Sequence, residues 1–323
     1  MMERTINWGI IGTGKIANKF ALALKHVPGT SIKAVASREK SRAETFAAQH
    51  NVQKTYGSYL ELAEDAEVEV VYVATPHVFH FENTMMCLNH NKAVLCEKPF
   101  AMNYEEVRQM VELARKKNLF LMEALWTRFF PGTLKILELI KNDAIGEIKY
   151  IRSDFGFKAS FDPDGRLFNK ALGGGSLLDI GIYPVFIALM TMGVPEKVMS
   201  DAIIGSTNVD DSISMVFKYK NGSLATLSST FMANMPIETD ICGTKGMIRI
   251  PKPWFMSRTF SLILNDGTKE DFNNEFICNG YEYEAMEVNN CLRQGKTESS
   301  VLTHEFSIEL IRLLDEVRNQ NRL

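Results

Sequence analysis

Over the first 125 residues, short apolar runs rich in β-branched side chains alternate with longer stretches whose apolar positions recur every three or four residues. That alternation predicts βαβ units around a parallel sheet. Ile6 to Ile11, Ser31 to Ala36, Val68 to Ala74, Ala93 to Cys96 and Phe120 to Met122 read as buried strands. Ile16 to Val27, Ser41 to His50, Phe79 to Asn89 and Tyr104 to Asn118 read as helices, with Ser41 and Asn103 as start signals. After about residue 148 the strand-like runs are Ser212 to Tyr219, Leu224 to Phe231, Gly246 to Ile250 and Ser261 to Leu264, punctuated by turns such as Asn221-Gly222 and Asp266-Gly267. An antiparallel sheet follows. Helices near Ser176 to Met192, Tyr281 to Gln294 and His304 to Asn319 complete the picture. The expected class is α/β: a doubly wound Rossmann-like sheet in residues 1–124 and an α+β domain in residues 125–323.

Composition agrees with two packed domains, since 323 residues exceed the usual size of one. Apolar residues make up 46% and charged residues 23% of the chain, ordinary globular values. With 36 basic and 39 acidic side chains the net charge is -3, so no basic field draws the chain to nucleic acid or an anionic membrane. No segment reaches the ~18 uninterrupted apolar residues of a membrane span, and the start, Met-Met-Glu-Arg-Thr-Ile-Asn-Trp, lacks the apolar core of a secretory signal. A cytoplasmic protein is expected. The five cysteines form no CxxC pair and suit neither a disulfide framework nor a zinc site; they are expected as buried thiols.

Gly12-Thr13-Gly14-Lys15-Ile16-Ala17 follows a predicted strand and opens a predicted helix. This is the context a dinucleotide fingerprint requires: one glycine for the tight turn, a second where backbone meets pyrophosphate, a small residue for helix packing, and helix amides with positive dipole. The second strand ends Ala36-Ser37-Arg38, with Arg42 one turn on. An NAD enzyme usually carries an acidic residue there. Ser37 leaves room for a 2′-phosphate, and Arg38 with Arg42 can clamp it. NADP is therefore preferred, and Glu39 keeps NAD open.

Thr75, Pro76 and His80 follow the next strand, and Glu97 with Lys98 follows the one after. Both places lie at carboxyl ends of parallel strands, where open α/β sheets bind ligands. His77 and His80 are three apart, but nothing nearby completes a metal set, and no metal is expected. In the second half, Gly173-Gly174-Gly175-Ser176 precedes a helix on which Asp179 and Tyr183 lie four apart. The spacing puts them on one face, with Ser176 placed as cap.

The ordered set GTGKIA, TPHVFH, EKPF and GGGSLLDIGIYP, spread over nearly the whole chain, resembles the Gfo/Idh/MocA family of NAD(P)-dependent oxidoreductases. Within it, Ala124 to Pro131 and the Ile182-Tyr183 ending look like the dimeric dihydrodiol dehydrogenase group, also described as NADP-dependent D-xylose 1-dehydrogenase. The resemblance implies hydride transfer with a sugar or diol, and a large open C-terminal sheet that forms a homodimer face. It also implies Lys98, Asp179 and Tyr183 as catalytic residues. Much of the family has histidine where this chain has Tyr183. A phenol titrates near 10 in water, so as a proton acceptor it needs a cation such as Lys98. Trp126 and Arg128 are expected at the cofactor, and Trp126, Phe155 and Trp254 at the substrate, because aromatic faces suit a sugar or diol ring. Other sugar reductases and dehydrogenases of the family, acting on anhydrosugars, glucose and fructose, or inositol, remain alternatives. So does a non-catalytic dinucleotide-binding sensor.

Overall fold

The computed structural model describes residues 4–323. The chain folds into two compact units, one formed by the described residues up to Phe129 together with Phe276–Ile308, the other by Phe130–Glu275 with Glu309–Leu323.

The first unit is built on β1 (Ile6–Ile11), β2 (Thr30–Ala36), β3 (Lys54–Tyr56), β4 (Val70–Val73), β5 (Ala93–Glu97) and β6 (Leu121–Ala124). Every pairing is parallel, in the order β3-β2-β1-β4-β5-β6. That is the doubly wound order, whose direction reverses between β1 and β4 and opens a ligand crevice beyond their carboxyl ends. Residues Val70 to Val73 are all fully buried, which is why this strand reads as unbroken apolar sequence. The helices are α1 (Lys15–Leu24), α2 (Lys40–His50), α3 (Tyr59–Glu64), α4 (His80–Asn89) and α5 (Tyr104–Lys117). Asn103 caps α5 by accepting from Glu106 N. Ser41 does not cap α2, which begins one residue earlier on an extended Glu39 without a side-chain cap. The short β3 and α3 carry too few residues to show a period and were not anticipated. Residues 276–308 return to this unit through α8 (Tyr281–Arg293). Asn289 accepts from the buried Trp8 indole at 3.0 Å and donates to Thr30 Oγ1 at 2.7 Å, tying α8 to the first two strands.

In the second unit, α6 (Pro131–Lys141) leads to β7 (Ile148–Gly156), and a long loop then enters α7 (Ile182–Met192). β8 (Lys197–Ile204), β9 (Asp210–Lys218), β10 (Leu224–Thr230), β11 (Thr239–Gly243), β12 (Gly246–Ile250), β13 (Thr259–Leu264) and β14 (Lys269–Asn273) complete eight strands. Their order is β14-β13-β12-β11-β7-β10-β9-β8. All neighbours are antiparallel except β7 with β10, so the sheet is mostly antiparallel. α7 packs against β7 and β10. Among the described residues one stretch, Lys170–Met192, is long and apolar enough to cross a membrane, but 83% of its apolar window is buried inside the fold, as befits a core helix. α9 (His304–Asn321) closes the chain.

Candidate functional site

The turn between β1 and α1 is shaped by its glycines. Gly12 has φ +97°, and a Cβ there would lie 2.6 Å from the Ala74 carbonyl oxygen, so any side chain would collide with the end of β4. Gly14 is different: a Cβ would meet nothing within 4 Å, leaving the backbone open to an approaching group. Thr13 is half-buried and Lys15 exposed, while Ile16 is half-buried and Ala17 fully buried against the sheet. α1 starts with no side-chain cap and no acidic residue in its first turn. Its first amides and the dipole are thus available to an anion, and this cradle fits a dinucleotide pyrophosphate.

Beyond β2, Ser37 is buried and its Oγ accepts weakly from Glu39 N at 3.4 Å. The Arg38 guanidinium lies 5.6 Å from the centre of the Phe79 ring. Arg42 pairs with Glu39 at 2.9 Å, and both side chains are about two-thirds exposed, at 67% and 62%. Such a pair is worth little to stability, so Arg42 can exchange it for a phosphate at small cost.

Beyond β4, His80 is fully buried. Its Nδ1 lies 2.7 Å from Pro99 O and its Nε2 2.9 Å from Thr75 O. It therefore ties the Thr75-Pro76 turn to the loop after β5, and a ligand would feel it through those segments and not by direct contact. Thr75 Oγ1 accepts from Asn83. Glu97, also buried, accepts from the Tyr72 hydroxyl and, at 3.2 Å, from Lys98 N. Its carboxylate thus orients the turn that carries Lys98. Phe100 N donates to the buried Glu123, whose pKa burial raises to about 7. Glu284 on α8 is fully buried, and neither carboxylate oxygen has a hydrogen-bond partner. Burial and the charge of Glu97 push its pKa well above the ordinary carboxylate range. After β6, Trp126 stacks on Tyr281 at 4.4 Å. Arg128 has a buried Nη1 without a hydrogen-bond partner, the kind of unmatched donor that a bound phosphate or carbonyl would satisfy.

In the second unit Asp179 and Tyr183 are both 7% exposed. Asp179 sits in a π-turn, Leu177–Gly181, that runs into α7. Wide turns of this kind concentrate at functional sites. Tyr183 packs against Phe155 at 5.7 Å and Phe255 at 5.5 Å, and those two rings stack on each other at 4.5 Å, 6° from parallel. Trp254 departs from expectation. It is fully buried and its indole donates to Asp154 O at 2.8 Å, so it anchors its short helical turn in the core while its neighbour Phe255 takes the place beside Tyr183.

Ser176 also departs from expectation. It is already helical in backbone and makes no cap. Asp210 does that work, accepting from Ser176 Oγ at 2.8 Å and Leu177 N at 2.6 Å, and burial raises its pKa to about 6. Arg166, which no motif flagged, donates to Asp179 at 2.6 and 3.3 Å. All five cysteines are free; Cys87, Cys96 and Cys291 are buried, whereas Cys242 and Cys278 are half-buried. No group of three His, Cys, Asp or Glu side chains able to hold a metal ion occurs among the described residues.

Residues 6–125 match the oxidoreductase family with NAD-binding Rossmann fold, GFO_IDH_MocA, and residues 133–249 match the GFO/IDH/MocA C-terminal domain. The chain is 43% identical over 325 residues to trans-1,2-dihydrobenzene-1,2-diol dehydrogenase of Xenopus laevis, covering 97% of each chain. It is 40% identical over 327 residues to the Danio rerio protein of the same name, covering 98% of this chain and 96% of that one. A solved structure of KijD10, a 3-ketoreductase from Actinomadura kijaniata in complex with NADP, superposes with a TM-score of 0.87 at 23% identity, covering 98% of both chains; at that distance it shows a shared fold. The chain belongs to the GFO/IDH/MocA family of oxidoreductases, with the family's NAD-binding Rossmann fold at its N-terminus and its C-terminal domain beyond.

Proposed function

We propose that the protein is an NADP-dependent dehydrogenase that interconverts a secondary alcohol and a carbonyl on a trans-diol or sugar. The observation that carries this is Tyr183, a phenol held beside the stacked rings of Phe155 and Phe255. An acid-base hydroxyl next to a flat apolar wall suits a cyclic substrate with one polar edge and one apolar face. The name carried by the relatives at 40 to 43% identity points the same way.

Gly12, Thr13, Gly14, Lys15 and Ile16 hold the pyrophosphate on the first turn of α1, and Ser37, Arg38 and Arg42 hold the 2′-phosphate. Thr75, Pro76, Glu97, Trp126 and Arg128 frame the remainder. When bound, the nicotinamide supplies or accepts the hydride. Tyr183 exchanges a proton with the substrate oxygen through its phenol, Lys98 supplies the positive charge that a phenolate and a developing alkoxide both need, and Asp179 orients a polar group of the substrate. The rings of Phe155 and Phe255 keep water from the reacting carbon. NAD serves less well, because it lacks the 2′-phosphate that Arg38 and Arg42 are placed to bind. The broad open sheet, which exposes Tyr150, Met199 and Ile203, serves as the face of a homodimer, and the free thiols suit a reducing cytoplasm.

The test is NADP reduction against trans-dihydrodiols, pentoses, hexoses and inositols. Turnover with a diol or sugar is expected. NADPH fluorescence enhancement on binding with no turnover on any of them would make the chain a sensor instead. Arg38→Ala is expected to weaken NADPH binding about 10- to 100-fold, the worth of a charge-assisted bond, and to leave NADH binding within about twofold. Equal losses for both cofactors would remove Arg38 from the 2′-phosphate.

A further inference from the structure

We infer that Arg166 is a positioning residue for the reaction, fixing the carboxylate of Asp179 in one orientation as an ionised acceptor. The inference rests on the reading that Asp179 belongs to the reacting site.

The contact is a fork: Nη1 donates to Oδ1 at 2.6 Å and Nη2 to Oδ2 at 3.3 Å. Two parallel bonds fix the plane of the carboxylate as well as its charge, which a single lysine could not do. The partners are unequally placed, with 51% of the Arg166 side chain exposed and 9% of that of Asp179. An ordinary surface pair can come apart without consequence, but here separation would take from a buried carboxylate the two bonds that fix its plane.

The fold is arranged to deliver Arg166 to this place. It lies in the loop between β7 and α7, on a turn closed by Phe168 N and Asn169 N donating to Gly165 O. Gly174 N and Gly175 N then donate to Asn169 O and Leu167 O, folding the loop back on itself just ahead of the π-turn. A Cβ on Gly174 would lie 2.7 Å from Leu167 O and 3.0 Å from Asn169 N. The middle glycine of the triplet is therefore needed for this doubling back. Phe168, 2% exposed, anchors the turn against Phe231 at 5.7 Å. From the opposite end, Asp210 holds the start of the π-turn, so Asp179 is constrained from two sides. Gly174, Gly175 and Asp179 thus form one device with Arg166 as its clasp.

Arg166→Ala, assayed for steady-state NADP reduction with the substrate found in the panel, is expected to lower kcat/KM about 10- to 100-fold, the cost of a misplaced positioning group. NADPH affinity should stay within about twofold, which also reports that the variant is folded. Arg166→Lys, which keeps the charge and loses the fork, should fall between Ala and wild type; if the alanine variant does not fold, this variant decides. Wild-type kcat/KM in either folded variant overturns the inference. In an Asp179→Asn background, Arg166→Ala should cost less than about twofold more, because contacting residues are not additive. Full additivity would show that Arg166 acts elsewhere. An Asp179→Asn enzyme with unimpaired turnover would instead overturn the placement of Asp179 itself, whereas an impaired Asp179→Asn with a normal Arg166→Ala would overturn only the inference about Arg166.

Discussion

Tyr183→Phe is expected to lose about 100- to 10,000-fold in kcat, the range for removal of a positioned acid-base group, while NADPH affinity stays within about twofold. The substitution removes one oxygen and keeps the ring that packs on Phe155 and Phe255, so the apolar wall and the first turn of α7 survive. A loss confined to turnover would separate the proton-transfer role from packing. Phe155→Ala provides the contrast, since it removes ring surface and spares the hydroxyl; it should act mainly through KM by weakening substrate binding. Near wild-type turnover in Tyr183→Phe would take the phenol out of the chemistry and pass the role to another group.

The parallel sheet was legible because its strands are buried on both faces. Ala93 to Cys96 reads as an unbroken apolar run and Ile6 to Ile11 as one interrupted only by Asn7, and the strands found there begin at the same residues. Long amphipathic helices were equally plain, as in α5, where Asn103 supplies a recognisable cap. What stayed hidden depends on contacts far apart in sequence. Ser176 has the right chemistry for a cap, yet Asp210, 34 residues on, offers a charged acceptor and takes both donors. Residues 276–308 form a helix with an ordinary apolar face, and nothing in that periodicity says which unit it covers. The answer lies in the bonds of Asn289 to Trp8 and Thr30.

The candidate site divides along the same line. Gly12, Gly14, Asp179 and Tyr183 announce themselves through local spacing that only a turn or a helix face explains. Trp254 and Phe255 are adjacent aromatics on one short turn, and composition cannot tell which points inward. The indole N–H settles it: a buried Trp needs an acceptor, and Asp154 O provides one. Arg166 lies in a loop with no period, and its role depends on a doubling back that Gly174 permits. The triplet of glycines was visible as a call for close approach; the surface it approaches was not.

Lys98→Met should lower kcat/KM about 100- to 1,000-fold at neutral pH, the scale of losing one preorganised stabiliser of negative charge. The two side chains are similar in length, and Lys98 N would still donate to Glu97, so the turn after β5 keeps its shape and the change is chiefly one of charge. On the proposed reading that charge favours the anionic form of the phenol. A phenol in water titrates near 10, and removing a nearby cation moves titration towards or beyond that value, because the anion loses its stabilisation while the neutral form does not. The sign follows: in the oxidative direction the alkaline rise of kcat/KM should move to higher pH in Lys98→Met, so the deficit shrinks as pH increases. Lys98→Arg, which retains a cation, should recover part of the loss and keep the profile near that of the wild type. A deficit of equal size at every pH would show that Lys98 acts by holding substrate or cofactor and leaves the proton exchange alone. Activity unchanged by Lys98→Met would remove it from the site altogether.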